Sequence, residues 1–256
     1  FMNVNIIGSG YMGKQIASLF KIIGFNVIIW HNSESDTLVK NLDSETLKLE
    51  KIFNIKSSGS IKIEKDLSKF DNNFTIETVK ENVEIKKKII SSLNYSENIY
   101  SNTSSLKLSE IGKFVNGFHF MNPISVKYIE ICKKKNYSDQ LLNDVINKLK
   151  NLSYQIINVA DTPGFLINKI IFKDISYFFY LIEKEKFKIQ DVTMIFKDDI
   201  KKTDPIKLVN MIGVDTSLYI LENLKKYDDT YYVPESLKQA VSNGALGYKN
   251  RKLFKY

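Results

Sequence analysis

Residues 2–30 read MNVNIIGSGYMGKQIASLFKIIGFNVIIW and carry the pattern that decides the fold. A short apolar run comes first, the glycine-rich segment 8–13 follows, and apolar residues then recur at helical spacing over 12–23. Gly24 is well placed to end that helix, and residues 27–30 form a second apolar run typical of a buried strand. The order strand, helix, strand in so short a segment predicts a right-handed βαβ unit with parallel strands.

The glycine-rich segment has the spacing of a dinucleotide-binding loop. Its residues are Gly8, Ser9, Gly10, Tyr11, Met12 and Gly13. In such a loop the first glycine permits a tight turn, the second lets the backbone approach a pyrophosphate, and the third lets the helix pack closely on the strand. The helix N-terminus then offers free N–H groups and a positive dipole end to the phosphates. The sequence therefore predicts a dinucleotide site here; the alternative is a tight turn without a ligand.

The end of the second strand departs from the usual pattern. An acidic residue is expected there to bind the adenine ribose hydroxyls, but the residue is His31, and Glu34 and Asp36 lie further along. Loss of the carboxylate removes its repulsion of a 2′-phosphate, yet no arginine follows to attract one. NAD is the expected cofactor, and NADP stays open.

Strand and helix signals alternate up to about residue 160, and only helical signals follow. We therefore predict a Rossmann-type doubly wound α/β domain over residues 1–160 and a smaller all-α domain over 161–256. Further strands are predicted at 61–63, 74–76, 99–100, 117–120, 127–132 and 155–159. Helices are predicted at about 79–93, 139–151 with Ser138 as N-cap, 165–185, 189–198, 205–212, 214–226 and 235–242, with weak helical character around 46–53.

The composition argues against several classes of protein. The net charge is +8, but lysine is spread along the chain and Arg251 is the only arginine, so a nucleic-acid partner is not expected. The most apolar stretch, 165–182, is interrupted by charged and amide side chains and predicts a core helix rather than a membrane span. No metal site is expected. Cys132 is the only cysteine, which fits a cytoplasmic protein without an intrachain disulfide, and the apolar run 4–7 is too short for a signal peptide.

Only two histidines occur, His31 and His119. His119 lies in the segment GFHFMNP at 117–123, and a histidine titrates near neutral pH, which suits proton transfer. A lone histidine among aromatic residues is more often a packed core residue. Its neighbours must therefore decide between the two interpretations.

Several segments, in order over nearly the whole chain, together resemble the L-3-hydroxyacyl-CoA dehydrogenase family. They are the glycine loop, ETVKEN at 77–82 with Lys86, SNTSSL at 101–106, HFMNP at 119–123, KYIE at 127–130, DTPGFLINK at 161–169, and DP at 204–205 with GVDT at 213–216. Each match is modest, and the ordered set is specific.

The resemblance implies hydride transfer with NAD(P) between an L-3-hydroxyacyl-CoA and a 3-ketoacyl-CoA. It implies that His119 is the general base in oxidation and the general acid in reduction, oriented by Glu130. The residues implied to place donors around the reacting oxygen are Ser104, Asn122 and Asn168. Besides the glycine loop and His31, the implied cofactor contacts are Glu81, Lys86, Ser104, Asn122 and Lys249.

The chain also departs from the family pattern. The interval between His119 and Glu130 is one residue shorter, and residues 33–60 are too few for the helical hairpin that contacts CoA in the family. Asp204 stands where a glycine is usual, and the tail 247–256 has fewer glycines. Two alternatives therefore stay open: a relative that acts on a hydroxy acid or sugar acid without CoA, and a dinucleotide-binding protein without catalysis.

Oligomeric state is inferred from the predicted helix at 165–185, which is apolar on more than one side. A small helical domain can hardly bury all of these side chains alone, so the sequence predicts a homodimer through the C-terminal domain. The residues behind this expectation are Phe165, Ile170, Ile171, Phe172, Phe178, Phe179, Leu181 and Ile182.

Overall fold

The computed structural model describes residues 2–32, 36–134, 140–197 and 202–256. Two residues named in the sequence analysis, Glu34 and the expected N-cap Ser138, lie outside these ranges. The chain divides into two compact units, Phe1–Thr162 and Pro163–Tyr256. Each unit is considered on its own.

The described residues of the first unit form a mostly parallel sheet of eight strands with helices between them. The strands are β1 (Asn3–Ile7), β2 (Asn26–Trp30), β3 (Ser60–Glu64), β4 (Phe74–Glu77), β5 (Ile99–Ser101), β6 (Asn116–Phe120), β7 (Tyr128–Cys132) and β8 (Gln155–Asn158). The helices are α1 (Tyr11–Ile22), α2 (Asp36–Phe53), α3 (Val83–Ser91), α4 (Leu108–Ile111) and α5 (Gln140–Asn151). The predicted strands and the Rossmann-type class are thereby confirmed.

The strand order is β3-β2-β1-β4-β5-β6-β7-β8, so the chain reverses its direction of travel across the sheet between β1 and β4. β6 and β7 are antiparallel, whereas the other described neighbours are parallel. The carboxyl ends of β1, β4, β5 and β6 therefore meet at one edge of the sheet, and ligands of such folds bind outside this edge at the reversal point.

The βαβ unit forms as its sequence predicts. α1 ends at Ile22, and Gly24 has a φ of +88°, a conformation that favours glycine and turns the chain into β2. β1 and β2 pair in parallel, with Ile7 opposite Trp30. The strands and one face of α1 are apolar and lie in a core that excludes water.

Two short elements of the structure were not predicted, and one helix is longer than predicted. A 3₁₀ turn at Leu67–Lys69 and the four-residue α4 were not predicted. α2 extends over Asp36–Phe53, whereas helical character was expected only around 46–53. Its buried side chains, Leu38, Leu42, Thr46 and Leu49, follow helical spacing, but its mean hydropathy is low, so this part of the sequence reads as polar. In the described part of the connection from β2 to β3, α2 is the one helix present.

The described residues of the second unit are helical and enclose their own core. The helices are α6 (Ile167–Glu183), α7 (Ile189–Lys197), α8 (Pro205–Ile212), α9 (Val214–Lys225) and α10 (Glu235–Ser242). Phe172, Phe178 and Phe179 of α6 are fully buried in this core, whereas Ile170 and Tyr177 are exposed. The helical domain therefore buries much but not all of the apolar surface of this helix, and the homodimer stays a prediction. No helix in the described ranges has the length and apolarity required to cross a membrane.

Candidate active site

His119 and Glu130 form a buried pair on adjacent strands. They lie directly opposite each other in the antiparallel pairing of β6 and β7, so both side chains project from the same face of the sheet. His119 Nδ1 is 2.8 Å from Glu130 Oε2, and the two residues are 4% and 0% exposed. An ionised carboxylate only accepts hydrogen bonds, so Nδ1 carries the proton and Nε2 is the basic nitrogen. The shorter interval in the sequence is thus compatible with direct pairing.

The serine loop after β5 is held by the carboxylate of Glu81. Glu81 Oε1 accepts hydrogen bonds from Thr103 Oγ1 at 2.6 Å and from the backbone N–H groups of Ser104 and Ser105 at 2.8 and 3.0 Å. Burial opposes ionisation, but Lys86 and these donors outweigh it and hold the pKa of Glu81 below 4.5. Glu81 therefore stays ionised at neutral pH and orders the segment that contains Ser104.

Lys86 lies behind this loop rather than on the surface. Its Nζ is 2.8 and 3.0 Å from the two carboxylate oxygens of Glu77 and 3.3 Å from Glu81 Oε2, and both Lys86 and Glu77 are about fully buried. Burial alone would lower the pKa of Lys86, but the two carboxylates outweigh this effect and raise it above 10.5. Lys86 thus holds Glu77 and Glu81 in place, and its contact with the cofactor stays a prediction.

Ser101 and Val79 complete the coordination of Glu77. The hydroxyl of Ser101 donates to Oε2 and the backbone N–H of Val79 donates to Oε1, both at 2.6 Å. β4 and β5 are adjacent, with Glu77 opposite Ser101, and this pairing brings the two side chains together. Glu77 was not singled out from the sequence, although it lies in the same ETVKEN segment, because a carboxylate at a strand end reads as exposed.

The glycine loop has the shape that a bound pyrophosphate needs. Gly8 has a φ of +116°, and a Cβ on Gly13 would lie 2.0 Å from the carbonyl oxygen of Gly8. A Cβ on Gly10, in contrast, would meet nothing within 4 Å, so the outer side of the loop is open. The N–H groups of Tyr11 and Met12 are the first of α1, and no carbonyl of the helix lies four residues before them to accept a hydrogen bond. These residues fit a dinucleotide whose phosphates lie at the helix N-terminus.

His31 lies beside the start of this loop. Its Nδ1 is hydrogen-bonded to Ser9 Oγ, and its backbone N–H donates to the carbonyl of Glu64 on β3 at 3.1 Å. The imidazole thus occupies the place where this fold usually presents an acidic side chain to the ribose.

Comparison with known proteins shows the family to which the chain belongs. Residues 3–162 match the family model described as 3-hydroxyacyl-CoA dehydrogenase, NAD binding domain, and residues 164–256 match the C-terminal domain of the same family. The chain belongs to the 3-hydroxyacyl-CoA dehydrogenase family. Its cofactor is accordingly NAD(H), and it is an NAD-dependent oxidoreductase of the class that acts on CH–OH groups.

Individual members of the 3-hydroxyacyl-CoA dehydrogenase family and its structural neighbours support the same assignment. A probable 3-hydroxybutyryl-CoA dehydrogenase of Bacillus subtilis is 28% identical, covering 98% of this chain and 96% of the relative. The crystal structure of (S)-3-hydroxybutyryl-CoA dehydrogenase from Ralstonia eutropha is 26% identical with a TM-score of 0.76, covering 99% of each chain. A diketoreductase described as acting on dicarbonyl compounds is 17% identical with a TM-score of 0.70, covering 100% of this chain and 99% of its own, and shares the fold.

The remaining predicted site residues are divided between the two units. In the first unit Asn122 is exposed and follows β6, at a cis peptide bond to Pro123. In the second unit Asn168 is buried in the first turn of α6, and Lys249 is ion-paired with Asp215. Asn102 was not predicted as a site residue, but its Oδ1 accepts the backbone N–H of Phe120 at 2.8 Å and links the serine loop to β6.

Proposed function

We propose that this chain interconverts an L-3-hydroxyacyl-CoA and the 3-ketoacyl-CoA, with His119 as the proton-transferring residue. The observation that carries the proposal is the buried pair of His119 and Glu130 at the sheet edge where the glycine loop also ends. Bound NAD⁺ supplies the hydride acceptor. When the C3–H hydride leaves, the hydroxyl loses its proton to His119 Nε2, and in reduction His119 returns that proton to the forming alkoxide.

The glutamate controls which nitrogen of His119 reacts. Glu130 accepts from Nδ1–H and so presents Nε2 in its basic form. As the imidazole takes up the substrate proton, the adjacent carboxylate stabilises the positive charge that forms. Because Glu130 is fully buried, this attraction is weakly screened by solvent.

Hydrogen-bond donors around the reacting oxygen are the second requirement. We assign Ser104, Asn122 and Asn168 to this role, because charge develops on the oxygen in the transition state. Glu81 holds Ser104 through the backbone N–H at 2.8 Å, and the Ser104 hydroxyl lies 3.3 Å from the same carboxylate oxygen. Because the hydroxyl has one proton, it donates to the reacting oxygen only when it turns away from Glu81. Glu81 is thus a positioning residue, and Lys86 and Glu77 act through it. Lys249 is assigned to the cofactor.

The proposal is tested by following NADH oxidation with acetoacetyl-CoA. Turnover is expected for the native chain and is expected to be lost in His119→Ala, while that variant still binds NADH. Lys80→Ala, at an exposed position in the segment between β4 and α3, is the control for handling and folding. Retention of normal turnover by His119→Ala contradicts the role of His119.

A second candidate function is favoured by the connection between β2 and β3. Its described part contains the one helix α2, where the family was expected to carry a helical hairpin that contacts CoA. This difference favours a substrate without CoA, such as a free hydroxy acid or sugar acid, and the fold is shared with a diketoreductase. Assays of free 3-hydroxy acids against acetoacetyl-CoA separate the two. Turnover confined to free acids contradicts the CoA proposal, and dinucleotide binding without turnover of either set favours the non-catalytic alternative.

We also propose that the chain forms a homodimer through the second unit. The exposed face of α6 carries Ile170 and Tyr177, and Leu166 precedes the helix as its N-cap; these residues are 58%, 56% and 46% exposed. Apolar side chains at this spacing form one stripe that a second copy can cover. Sedimentation equilibrium is expected to show a dimer, and Ile170→Glu is expected to weaken it. A native chain that stays monomeric contradicts the proposal.

A further inference from the structure

His31 follows β2, at the end of the dinucleotide site that receives the adenosine in this fold. β1 and β2 are paired with Ile7 opposite Trp30, so the residue that follows β2 lies next to the residues that follow β1. The contact between His31 Nδ1 and Ser9 Oγ makes this adjacency direct. The backbone bond from His31 to the carbonyl of Glu64 anchors the residue to β3. The imidazole is therefore part of the loop that receives the dinucleotide.

Two described carboxylates lie near this position in the chain or the sheet, Glu64 and Asp36. Glu64 accepts the backbone N–H groups of Lys65 and Asp66 at 3.0 and 3.2 Å and lies within 4 Å of two further lysines. The pKa of Glu64 lies below its usual value, mainly because its carboxylate accepts the backbone N–H of Asp66. Asp36 is the first residue of α2 and is exposed. Neither takes the position at the end of β2 that an acidic residue usually holds in this fold.

The charge at this position bears directly on the choice of cofactor. A phosphate monoester carries nearly two negative charges at neutral pH, so a carboxylate at the end of β2 repels the 2′-phosphate of NADP. An imidazole is neutral or positive and can donate a hydrogen bond to a phosphate oxygen. We propose that His31 makes this chain bind NADP(H) as well as NAD(H), with little discrimination between them. The inference rests on the dinucleotide site of the proposed function and is independent of the acyl substrate.

The experiment measures equilibrium binding by titration calorimetry, with NADH and NADPH as the probes and no substrate present. The native chain is expected to bind the two within about tenfold of each other. His31→Asn and His31→Asp form a matched pair, because the side chains have the same shape and differ in charge. NADPH affinity is expected to be at least about tenfold weaker for His31→Asp than for His31→Asn. NADH affinity of His31→Asp is expected to be equal or tighter, since a carboxylate accepts from the ribose hydroxyls.

Three results overturn the inference. The first is a native chain that binds NADPH more than about tenfold more weakly than NADH. The second is equal NADPH affinity of the asparagine and aspartate variants. The third is failure to bind either dinucleotide, which also contradicts the proposed function. Binding of both dinucleotides without turnover of any hydroxyacyl substrate instead supports the inference and contradicts only the proposed function.

Discussion

His119 and Glu130 occupy directly opposed positions on antiparallel strands, with Nδ1 of the histidine 2.8 Å from Oε2 of the glutamate. Their pairing is thus a property of strand register, since a shift by one residue would turn one of the two side chains to the other face of the sheet. The proposed chemistry depends on this register.

Glu130→Gln is expected to lower kcat by about 10²–10⁴-fold. Glutamine keeps the size of the side chain but removes the charge that stabilises the imidazolium, and its amide can also favour the wrong tautomer of His119. Steady-state kinetics with acetoacetyl-CoA measures the effect, and NADH affinity serves as the control for a folded site. A kcat within about threefold of the native value, a change of less than 1 kcal/mol, contradicts the orienting role.

Lys86→Met is expected to lower the free energy of unfolding by about 3–5 kcal/mol. The substitution leaves the carboxylate of Glu77 buried without its cation, and Glu77 is fully inaccessible to solvent. Urea denaturation measures the loss. The double variant Glu77→Gln with Lys86→Met removes both charges and is expected to be more stable than Lys86→Met alone. If the two losses simply add, the buried ion pair is not the cause.

Glu81→Gln is expected to lower the free energy of unfolding near neutral pH by about 2 kcal/mol. The pKa of Glu81 is held below 4.5 in the folded chain, so its contribution to stability is present above that value and is lost as the pH falls through the folded pKa. The difference between native and variant chains is therefore expected to shrink in acid. Denaturation curves at several pH values between about 3 and 7 measure this. A difference that is independent of pH contradicts the assignment.

Gly13→Ala and Gly10→Ala are expected to affect different properties. The first places a Cβ 2.0 Å from the Gly8 carbonyl oxygen and is expected to destabilise the chain by about 1–3 kcal/mol. In Gly10→Ala the added Cβ meets no atom within 4 Å, and the φ of −66° at Gly10 suits alanine. The free energy of unfolding is therefore expected to stay within about 0.5 kcal/mol of the native value. The added methyl group nevertheless stands where the pyrophosphate approaches, so NADH affinity is expected to fall. Unchanged affinity for Gly10→Ala contradicts the placement of the cofactor.

Much of the fold was predictable because its signals are local. Each of the predicted strands was found, since short β-branched and aromatic runs bounded by polar residues signal buried strands in a parallel sheet. α4 escaped prediction because its four residues are capped from far along the chain: Asp161 accepts the backbone N–H groups of Leu108 and Ser109 at 2.7 and 3.0 Å. A cap of this kind leaves no mark in the local sequence.

The sequence predicted which residues belong to the site but not which of their side chains contact one another. The ordered motifs named Glu81, Lys86 and Ser104, and the structure shows that the carboxylate of Glu81 ties the other two together. Glu77 became visible only as the partner of Lys86. Contacts of this kind join residues on different strands, and the side chains that meet depend on strand order, which the motifs alone do not state.

The sequence by itself determined the βαβ unit, the dinucleotide loop and the presence of one histidine suited to proton transfer, because spacing along a helix or strand is a local property. The tertiary structure decided which side chains face one another. The register of β6 and β7 brought Glu130 to His119, and the pairing of β1 with β2 brought His31 to Ser9. These contacts form only when segments that are distant in sequence pack together. A hydrogen bond requires its two atoms to lie within a few ångströms, and the pairing of the strands brings them that close.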